Sequence, residues 1–265
     1  MIFMFFKSFP ILLIGSKLSP NRAVLETAAF THRTWQAALV TIGFAVIAWL
    51  LNGVTSSGAL AGALVSFVIY LSAGPGPFLA LVSVFVIAVG TTRMGYSRKQ
   101  ELGTAEHREG RSASQIVANV GIAAVASVLF GFSSDPLFLI AGAAALAEAA
   151  ADTSSSEIGE ATGGQARLIT TLEPVPSGTN GGITISGTLA GAAASLLVAG
   201  CCVLVKMISH SAFLLVGCAG FIGMLLDSVL GALLERRGAL NNDTVNFLGT
   251  FSAALIAFLV SRARW

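Results

Sequence analysis

Acidic side chains in an otherwise apolar stretch are the residues best suited to chemistry. Glu148 and Asp152 are one helical turn apart, so both carboxylates can face one cleft, and Glu157 follows closely. Such hard oxygen ligands hold Mg²⁺ while water and nucleotide phosphates complete its shell. Asp152 has an alternative interpretation as a helix-end residue that caps a turn beside the hydroxyls of Thr153 to Ser156. Glu160 is interpreted as an ordinary loop charge.

A second acidic position lies deep in an apolar run. Asp227 and Ser228 interrupt the run at roughly 212–234. A lone carboxylate at membrane depth costs about 2.5–3.5 kcal/mol, so a functional role is its default interpretation. Asp227 therefore requires a partner, which would be a cation, an arginine, or water in a cleft.

A glycine-rich turn supplies a candidate anion site. Residues Ser177, Gly178, Thr179, Asn180, Gly181 and Gly182 precede the next apolar run. Their main-chain N–H groups can form a concavity that binds an anion. The signal is weak by itself because glycine-rich turns are common connectors, and neither a Walker A loop nor a G-x-G-x-x-G fingerprint is present.

Polar residues also open the last apolar run. Among Asn241, Asn242, Asp243 and Asn246, the sequence predicts that Asn242 or Asp243 caps the helix. Asn246 lies one turn further in, where a capping role does not explain it.

In the connector at roughly 93–112, basic residues precede Gln115 and Asn119, which share a helix face. These groups either set the membrane topology or bind phosphates.

Composition identifies the environment of these residues. Hydrophobic residues make up 55% of the 265 and charged residues 11%, whereas about a quarter of a soluble domain is charged. The mean hydropathy is +0.83. We predict an integral membrane protein that is an all-α polytopic helix bundle. The net charge of +2 gives no indication of a nucleic-acid partner, and no sequence feature specifies an oligomeric state.

The apolar runs predict about eight transmembrane helices, with seven to nine as the range, because most approach the roughly 20 residues that cross hydrocarbon. They lie at roughly 35–51, 57–72, 78–94, 113–131, 135–152, 183–206, 212–234 and 244–261. Residues 35–265 are expected to form one membrane domain. Residues 1–34 are expected to form an apolar interfacial or short spanning segment, with a polar connector from Asn21 to Thr34.

Counting the runs indicates where the polar connectors lie. The connectors at roughly 93–112, 152–182 and 235–243 are separated by two spans each, so alternation places all three on one membrane face. That face also carries the larger share of the 15 Lys and Arg residues. The positive-inside bias therefore predicts that the functional face is cytoplasmic.

Four blocks of sequence resemble a known family. ADTSSSEIG, RLITTLEPVPSGTNGGITISG, GMLLDSVLGA and LNNDTVN look like the successive signature blocks of the membrane-protein family that includes the plastid phytyl-phosphate kinases and vertebrate transmembrane protein 19. The resemblance covers roughly residues 35 to 262. It departs at Ala151, where Gly is expected, and at Ser154 and Ser155, where Trp-Ala is usual. Those departures bear on substrate preference, since the acids are retained.

The resemblance implies a membrane phosphotransferase. It implies Mg²⁺-dependent transfer of the γ-phosphate of CTP or another nucleoside triphosphate onto a phytyl or polyprenyl monophosphate, within membrane lipid. On this hypothesis Asp152, Glu157 and Asp227 hold Mg²⁺, and Ser177 to Gly182 cradle phosphate. The remaining candidates are Lys99, Arg111 and Arg167 for charge neutralisation, and Asn119, Asn180, Ser228, Asn242 and Asn246 for binding.

A second class of function uses similar residues. A transporter or lipid scramblase for an anionic or isoprenoid substrate would also have intramembrane acids. The gathering of polar residues on one face favours the enzyme over the transporter. The enzyme hypothesis requires that one pocket below the cytosolic surface contains Lys99, Asp152, Asn180, Asp227 and Asn242.

Overall fold

The computed structural model describes residues 20–105 and 109–263, with side chains described from residue 30 onward. The segment predicted over residues 1–20 as interfacial or spanning thus lies almost wholly outside the described residues. Within the described ranges the helices are α1 (Pro20–Leu50), α2 (Ser56–Ala73), α3 (Pro75–Arg93), α4 (Tyr96–Leu102), α5 (Ala113–Ser133), α6 (Pro136–Thr162), α7 (Ile185–Leu204), α8 (Phe213–Leu233) and α9 (Asn242–Arg262).

Eight of the described helices are long and apolar enough to cross a membrane; α4 is the short exception. The predicted all-α polytopic bundle is therefore confirmed. Each predicted apolar run corresponds to one of these helices, because a hydrocarbon core about 30 Å thick requires about 20 apolar residues in helical form. Within a bilayer a helix also satisfies its own main-chain hydrogen bonds.

Helix α6 is the centre of the bundle. It packs against α3, α5, α7, α8 and α9. In its most apolar window 72% of the residues are buried, compared with 17–39% in the other spans. The continuous buried run from Ala141 to Ala151 consists of small residues apart from Leu146 and Glu148. Small side chains let neighbouring helices approach closely, so α6 can be surrounded.

Two boundaries differ from the sequence prediction. Helix α6 continues to Thr162, so the hydroxyls and acids after Asp152 are helical rather than part of a loop. The capping interpretation of Asp152 is wrong, because Asp152 lies in the helix interior and Asp135 caps α6 through Leu137 N at 2.9 Å. Helix α1 begins at Pro20, so the predicted connector from Asn21 to Thr34 is helical as well.

The long connector between α6 and α7 folds back onto the bundle. Two short antiparallel strands, β1 (Arg167–Leu168) and β2 (Gly182–Ile183), pair Arg167 with Ile183 and Leu168 with Gly182. The amide of Ile169 also donates to the carbonyl of Gly181 at 2.9 Å. This ladder holds the glycine-rich turn in place beside the ends of α6 and α8.

Candidate functional site

A polar cavity of ≈ 220 Å³ opens between α6, the glycine-rich turn, α8 and α9. It brings together residues from the second and third polar connectors, as expected if they share a membrane face. The lining comprises Asp152, Ser155, Ser156, Gly159, Glu160, Ala166, Ser177, Gly178, Thr179, Asn180, Gly181, Gly182, Thr184, Asp227, Ser228, Gly231, Glu235, Asn242 and Asn246.

Helix α6 forms one wall of this cavity because it extends beyond Asp152. Ser156 lies four residues after Asp152, and Glu160 four residues after Ser156, so the three share one helix face. Ser155 and Gly159 widen that face. The interpretation of Glu160 as an ordinary loop charge was wrong, since Glu160 is helical and lines the cavity.

The glycine-rich turn forms the opposite wall. Gly178 and Gly181 have φ values of +79° and +74°, a region that favours glycine. Gly181 also approaches α8 so closely that an added Cβ would lie 2.5 Å from the amide nitrogen of Ala232. Within the described part of the chain, the N–H groups of Gly178, Asn180 and Gly181 have no main-chain acceptor. The turn therefore presents donors of the kind that bind anions.

The end of α8 and the short 3₁₀ helix Glu235–Arg237 that follows it form a third part of the cavity wall. Asp227, Gly231 and Glu235 are spaced four residues apart and all line it, together with Ser228. The small residue at position 231 lies between the two acids, where an added Cβ would be 3.0 Å from Gly181 N. Because Gly231 has no side chain, the glycine-rich turn can pack closely between Asp227 and Glu235.

Helix α9 begins beside the cavity, and the residues at its start have two different roles, capping the helix and lining the cavity. The side-chain oxygen of Asn241 accepts from Thr244 N at 2.9 Å and from Thr244 Oγ1 at 2.7 Å. Asn241 is therefore the N-cap, and the prediction of Asn242 or Asp243 for that duty was wrong. Asn242 and Asn246, one turn apart, line the cavity instead.

Glu148 lies deeper than the cavity lining. It is 1% exposed, and its Oε1 has no hydrogen-bond partner among the described residues, like Oδ2 of Asp227. Both carboxylates approach Gly249, where an added Cβ would clash with Glu148 Oε1 and lie 3.2 Å from Asp227 Oδ2. These two carboxylates are thus crowded together, and each has one buried oxygen without a partner among the described residues.

Lys99 and Glu157 do not join this cavity, contrary to the expected convergence. They form a buried ion pair with each other. Lys99 Nζ also donates to the carbonyl of Thr92 at 2.7 Å, and Glu157 Oε1 accepts from Thr92 Oγ1 at 2.7 Å. Both oxygens of Glu157 already have donors, and Lys99 is paired with Glu157. The structure therefore does not support Glu157 as a Mg²⁺ ligand or Lys99 as the group that neutralises phosphate charge.

Three other predicted binding residues also lie outside the polar cavity. Arg111 donates to Thr92 Oγ1 at 3.2 Å and, like Asn119, lines a separate apolar cavity. Asn119 Nδ2 donates to the carbonyl of Gln115 at 2.8 Å, so it is partly committed to its own helix. Arg167 is exposed and donates to the carbonyl of Leu172 at 2.8 Å. None of the three contributes to the lining described above.

The remaining predicted residues converge as expected. Asp152, Asn180, Asp227 and Asn242 share the polar cavity, as do Ser228, Asn246 and all six residues of the turn. Their roles stay predictions. Glu235 was missed, because it lies beyond the end of α8, in the 3₁₀ helix Glu235–Arg237, where the helical spacing from Asp227 does not apply.

The charge balance of the cavity limits what it can bind. Its described lining contains four carboxylates, namely Asp152, Glu160, Asp227 and Glu235, and no Lys or Arg. Within residues 20–105 and 109–263, no three His, Cys, Asp or Glu side chains are arranged to hold a metal ion. Mg²⁺ commonly uses one or two carboxylates and takes its other ligands from water and phosphates. Asp152 and the unpartnered oxygen of Asp227 fit that donor set.

Comparison with known proteins gives several relatives. Residues 39–254 match the model of the family described as integral membrane protein DUF92. An uncharacterised membrane protein of Synechocystis sp. is 36% identical over 195 residues, covering 72% of this chain and 76% of that protein.

Two further relatives are proteins of Methanocaldococcus jannaschii and Arabidopsis thaliana. An uncharacterised membrane protein of Methanocaldococcus jannaschii is 35% identical over 208 residues, covering 77% of this chain and 84% of that protein. The chloroplastic protein VTE6 of Arabidopsis thaliana is 29% identical over 222 residues, covering 80% of this chain and 67% of that protein. No solved structure gives a significant match.

Proposed function

The chain belongs to the integral membrane protein family DUF92, and on that premise we propose that it is a membrane prenyl-phosphate kinase. Its reaction would be Mg²⁺-dependent transfer of the γ-phosphate of CTP or another nucleoside triphosphate to a phytyl or polyprenyl monophosphate. The signature blocks that resemble those of the plastid phytyl-phosphate kinases motivate the substrate class.

The observation that carries the proposal is the composition of the polar cavity. Acidic side chains and the glycine-rich turn form the walls of a cavity of ≈ 220 Å³ in a bundle that is otherwise apolar. An acid-lined cavity repels a free polyphosphate, but a polyphosphate that brings Mg²⁺ presents positive charge to the acids. Its oxygens can then accept hydrogen bonds from the N–H groups of the turn. The two walls therefore suit the two components of a metal–nucleotide complex.

Each part of the cavity has a proposed task. Asp152 and Asp227 would hold Mg²⁺, which when bound supplies positive charge to the phosphates. The main-chain N–H groups of Gly178, Asn180 and Gly181 would bind phosphate oxygens. The side-chain amides of Asn180, Asn242 and Asn246, with the hydroxyl of Ser228, would donate to the nucleotide and fix its orientation.

The reaction needs positioning more than covalent help. An oxygen of the isoprenoid monophosphate attacks the γ-phosphorus and forms a new P–O–P linkage. The bond from the γ-phosphorus to the β,γ-bridging oxygen breaks, and its electron pair stays with the nucleoside diphosphate. Because the acceptor oxygen is already anionic, no strong general base is required. The carboxylates of the described lining can therefore serve as metal ligands rather than as bases.

Turnover by the purified protein tests this function. The protein in detergent or nanodiscs receives geranylgeranyl or phytyl monophosphate, one of CTP, ATP or UTP, and Mg²⁺, and both the isoprenoid diphosphate and the nucleoside diphosphate are measured. We expect equimolar formation of the two products, lost in the double variant Asp152→Asn/Asp227→Asn. The matched control Asp243→Asn changes a carboxylate beside the cavity that is absent from its lining, and it should remain active.

The same preparation tests the transporter alternative. Liposomes loaded with the protein would take up labelled isoprenoid phosphate without consuming nucleotide if the protein were a transporter. Such uptake with no diphosphate product, or diphosphate formation that survives the double substitution, would contradict the proposed function and its metal ligands respectively.

A further inference from the structure

A second cavity lies along a neighbouring face of α6. It is enclosed by α1, α2, α3 and α5, and its walls are almost entirely apolar. Representative lining residues are Phe44, Val65, Val84, Phe85 and Ile116. Ala149 and Thr153 of α6 line it, whereas the neighbouring Asp152 lines the polar cavity. The apolar cavity and the polar cavity therefore lie on neighbouring faces of one helix.

The polar residues of the lining are Arg111, Asn119 and Thr153, and Arg111 is the single cation among the described lining residues. Arg111 directly precedes Ser112, the N-cap of α5, so it lies at the end of that helix. Its main chain is fixed there, because Arg111 N donates to Gly53 O at 3.2 Å and Thr55 N donates to Arg111 O at 3.0 Å.

The Lys99–Glu157 pair supports this arginine. Thr92 Oγ1 donates to Glu157 Oε1 at 2.7 Å and accepts from Arg111 Nη2 at 3.2 Å. Lys99 in turn neutralises Glu157. The pair therefore orients the hydroxyl that holds Arg111, and its residues are positioning residues rather than catalytic ones.

We propose that this cavity binds the isoprenoid chain of the acceptor, with its monophosphate on Arg111, so that acceptor and nucleotide approach each other along neighbouring faces of α6. From Gly58 to Val65 the lining follows α2 for seven residues, about 10 Å along the helix. The cavity of ≈ 80 Å³ holds only a segment of such a chain. Half-buried Phe44, Phe85 and Gly62 border it, so the rest of the chain extends into lipid. This proposal rests on the proposed function for the identity of the acceptor.

The charge and the shape of the apolar cavity favour an isoprenoid monophosphate over a phospholipid. A guanidinium matches the oxygens of a phosphate and binds it more specifically than an ammonium group does. An apolar cavity with a single cation among its described lining residues fits an amphiphile with one chain and one compact anionic head. A bilayer phospholipid has two chains and a larger head group, and it is the competing occupant that the experiment must separate.

Photolabelling without nucleotide tests the site independently of turnover. The probe is geranylgeranyl monophosphate that carries a diazirine on its chain, added to the full-length protein in nanodiscs, and labelled residues are identified by mass spectrometry. We expect labels on the lining contributed by α1, α2, α3 and α5. Unlabelled geranylgeranyl monophosphate should compete, whereas geranylgeraniol and phosphatidic acid should not. Equal competition by phosphatidic acid would overturn the choice of occupant.

Two glycines give a matched pair of variants. Gly62 lies in the lining and Gly90 is exposed on α3 outside it, and an added Cβ at either position meets no atom within 4 Å. Gly62→Leu fills the cavity and should weaken specific labelling about tenfold or more. Gly90→Leu adds the same side chain to the surface and should leave labelling unchanged. Unchanged labelling in Gly62→Leu would overturn the site.

A third variant tests the head-group contact. Arg111→Gln should weaken competition by the monophosphate roughly tenfold, because a charge-assisted hydrogen bond is lost. Unchanged competition would overturn the role of Arg111. Failure of this proposal and failure of the kinase proposal are distinguishable. Labelling of the cavity by a protein that forms no diphosphate supports this site and contradicts the kinase, whereas labelling elsewhere by an active kinase contradicts only this site.

Discussion

Two groups of charged residues lie on different faces of α6 and differ in how their charges are satisfied. Glu157 is paired with Lys99, and both of its oxygens have donors. On the other face, Glu148 Oε1 and Asp227 Oδ2 are buried with no partner among the described residues. Unpaired buried charge is costly unless a ligand compensates it. We therefore propose a structural role for the first group and a binding role for the second.

The largest expected effect is the loss of stability when the Lys99–Glu157 pair is broken. Lys99→Met leaves the carboxylate of Glu157 buried without its cation, so we expect the free energy of unfolding to fall by about 3–5 kcal/mol. Unfolding titrations in mixed micelles measure this change. The double variant Lys99→Met/Glu157→Gln should recover most of the loss, since the neutral amide in place of the Glu157 carboxylate would still accept from Thr92. A stable single variant would contradict the assignment of this pair to structure.

The next effect concerns the unsatisfied group. Asp227→Asn should reduce diphosphate formation about 10²–10³-fold through loss of charge at the metal and phosphates. Its stability should be unchanged or higher, because a crowded carboxylate is removed. Activity assays and unfolding titrations on one preparation measure both quantities, with Asp243→Asn as the control. A stability loss like that of Lys99→Met would place Asp227 in the structural group.

A smaller effect sharpens the comparison at two adjacent residues. Asn241 caps α9 and Asn242 lines the cavity. Asn241→Ala should lower stability by about 1 kcal/mol and leave the KM for nucleotide unchanged. Asn242→Ala should raise that KM about three- to tenfold through loss of one hydrogen bond, with little change in stability. Thermal unfolding and steady-state kinetics separate these outcomes, and a reversed pattern would contradict both assignments.

The sequence predicted most of the fold because each span is a local pattern. Apolar runs near 20 residues correspond to helices in hydrocarbon regardless of the rest of the chain. The boundary of α6 was missed because Ser154, Ser155, Ser156 and Glu157 favour turns locally, whereas packing against α7, α8 and α9 keeps them helical. Tertiary packing overrode local propensity at that helix end.

The candidate site was predictable where its residues follow helical spacing. Asp152 and Asp227 each interrupt an apolar run, so their burial and cost were evident from sequence. The pairing of Lys99 with Glu157 was not evident, since the partners are 58 residues apart and meet only through packing. Arg111 and Arg167 were grouped by charge alone, and charge does not specify which cavity a side chain faces. Glu235 was missed because it lies beyond the end of α8, outside the helical register of Asp227.

Nucleotide binding to the wild-type protein tests the central claim most directly. Isothermal titration with CTP, ATP and UTP, each in the presence of Mg²⁺ and then of a chelator, measures whether the acid-lined cavity requires a metal to accept a polyphosphate. We predict saturable binding of at least one nucleotide that depends on Mg²⁺ and is lost in Asp152→Asn/Asp227→Asn. Metal-independent binding that persists in that variant, or no binding with Mg²⁺ present, would contradict the account.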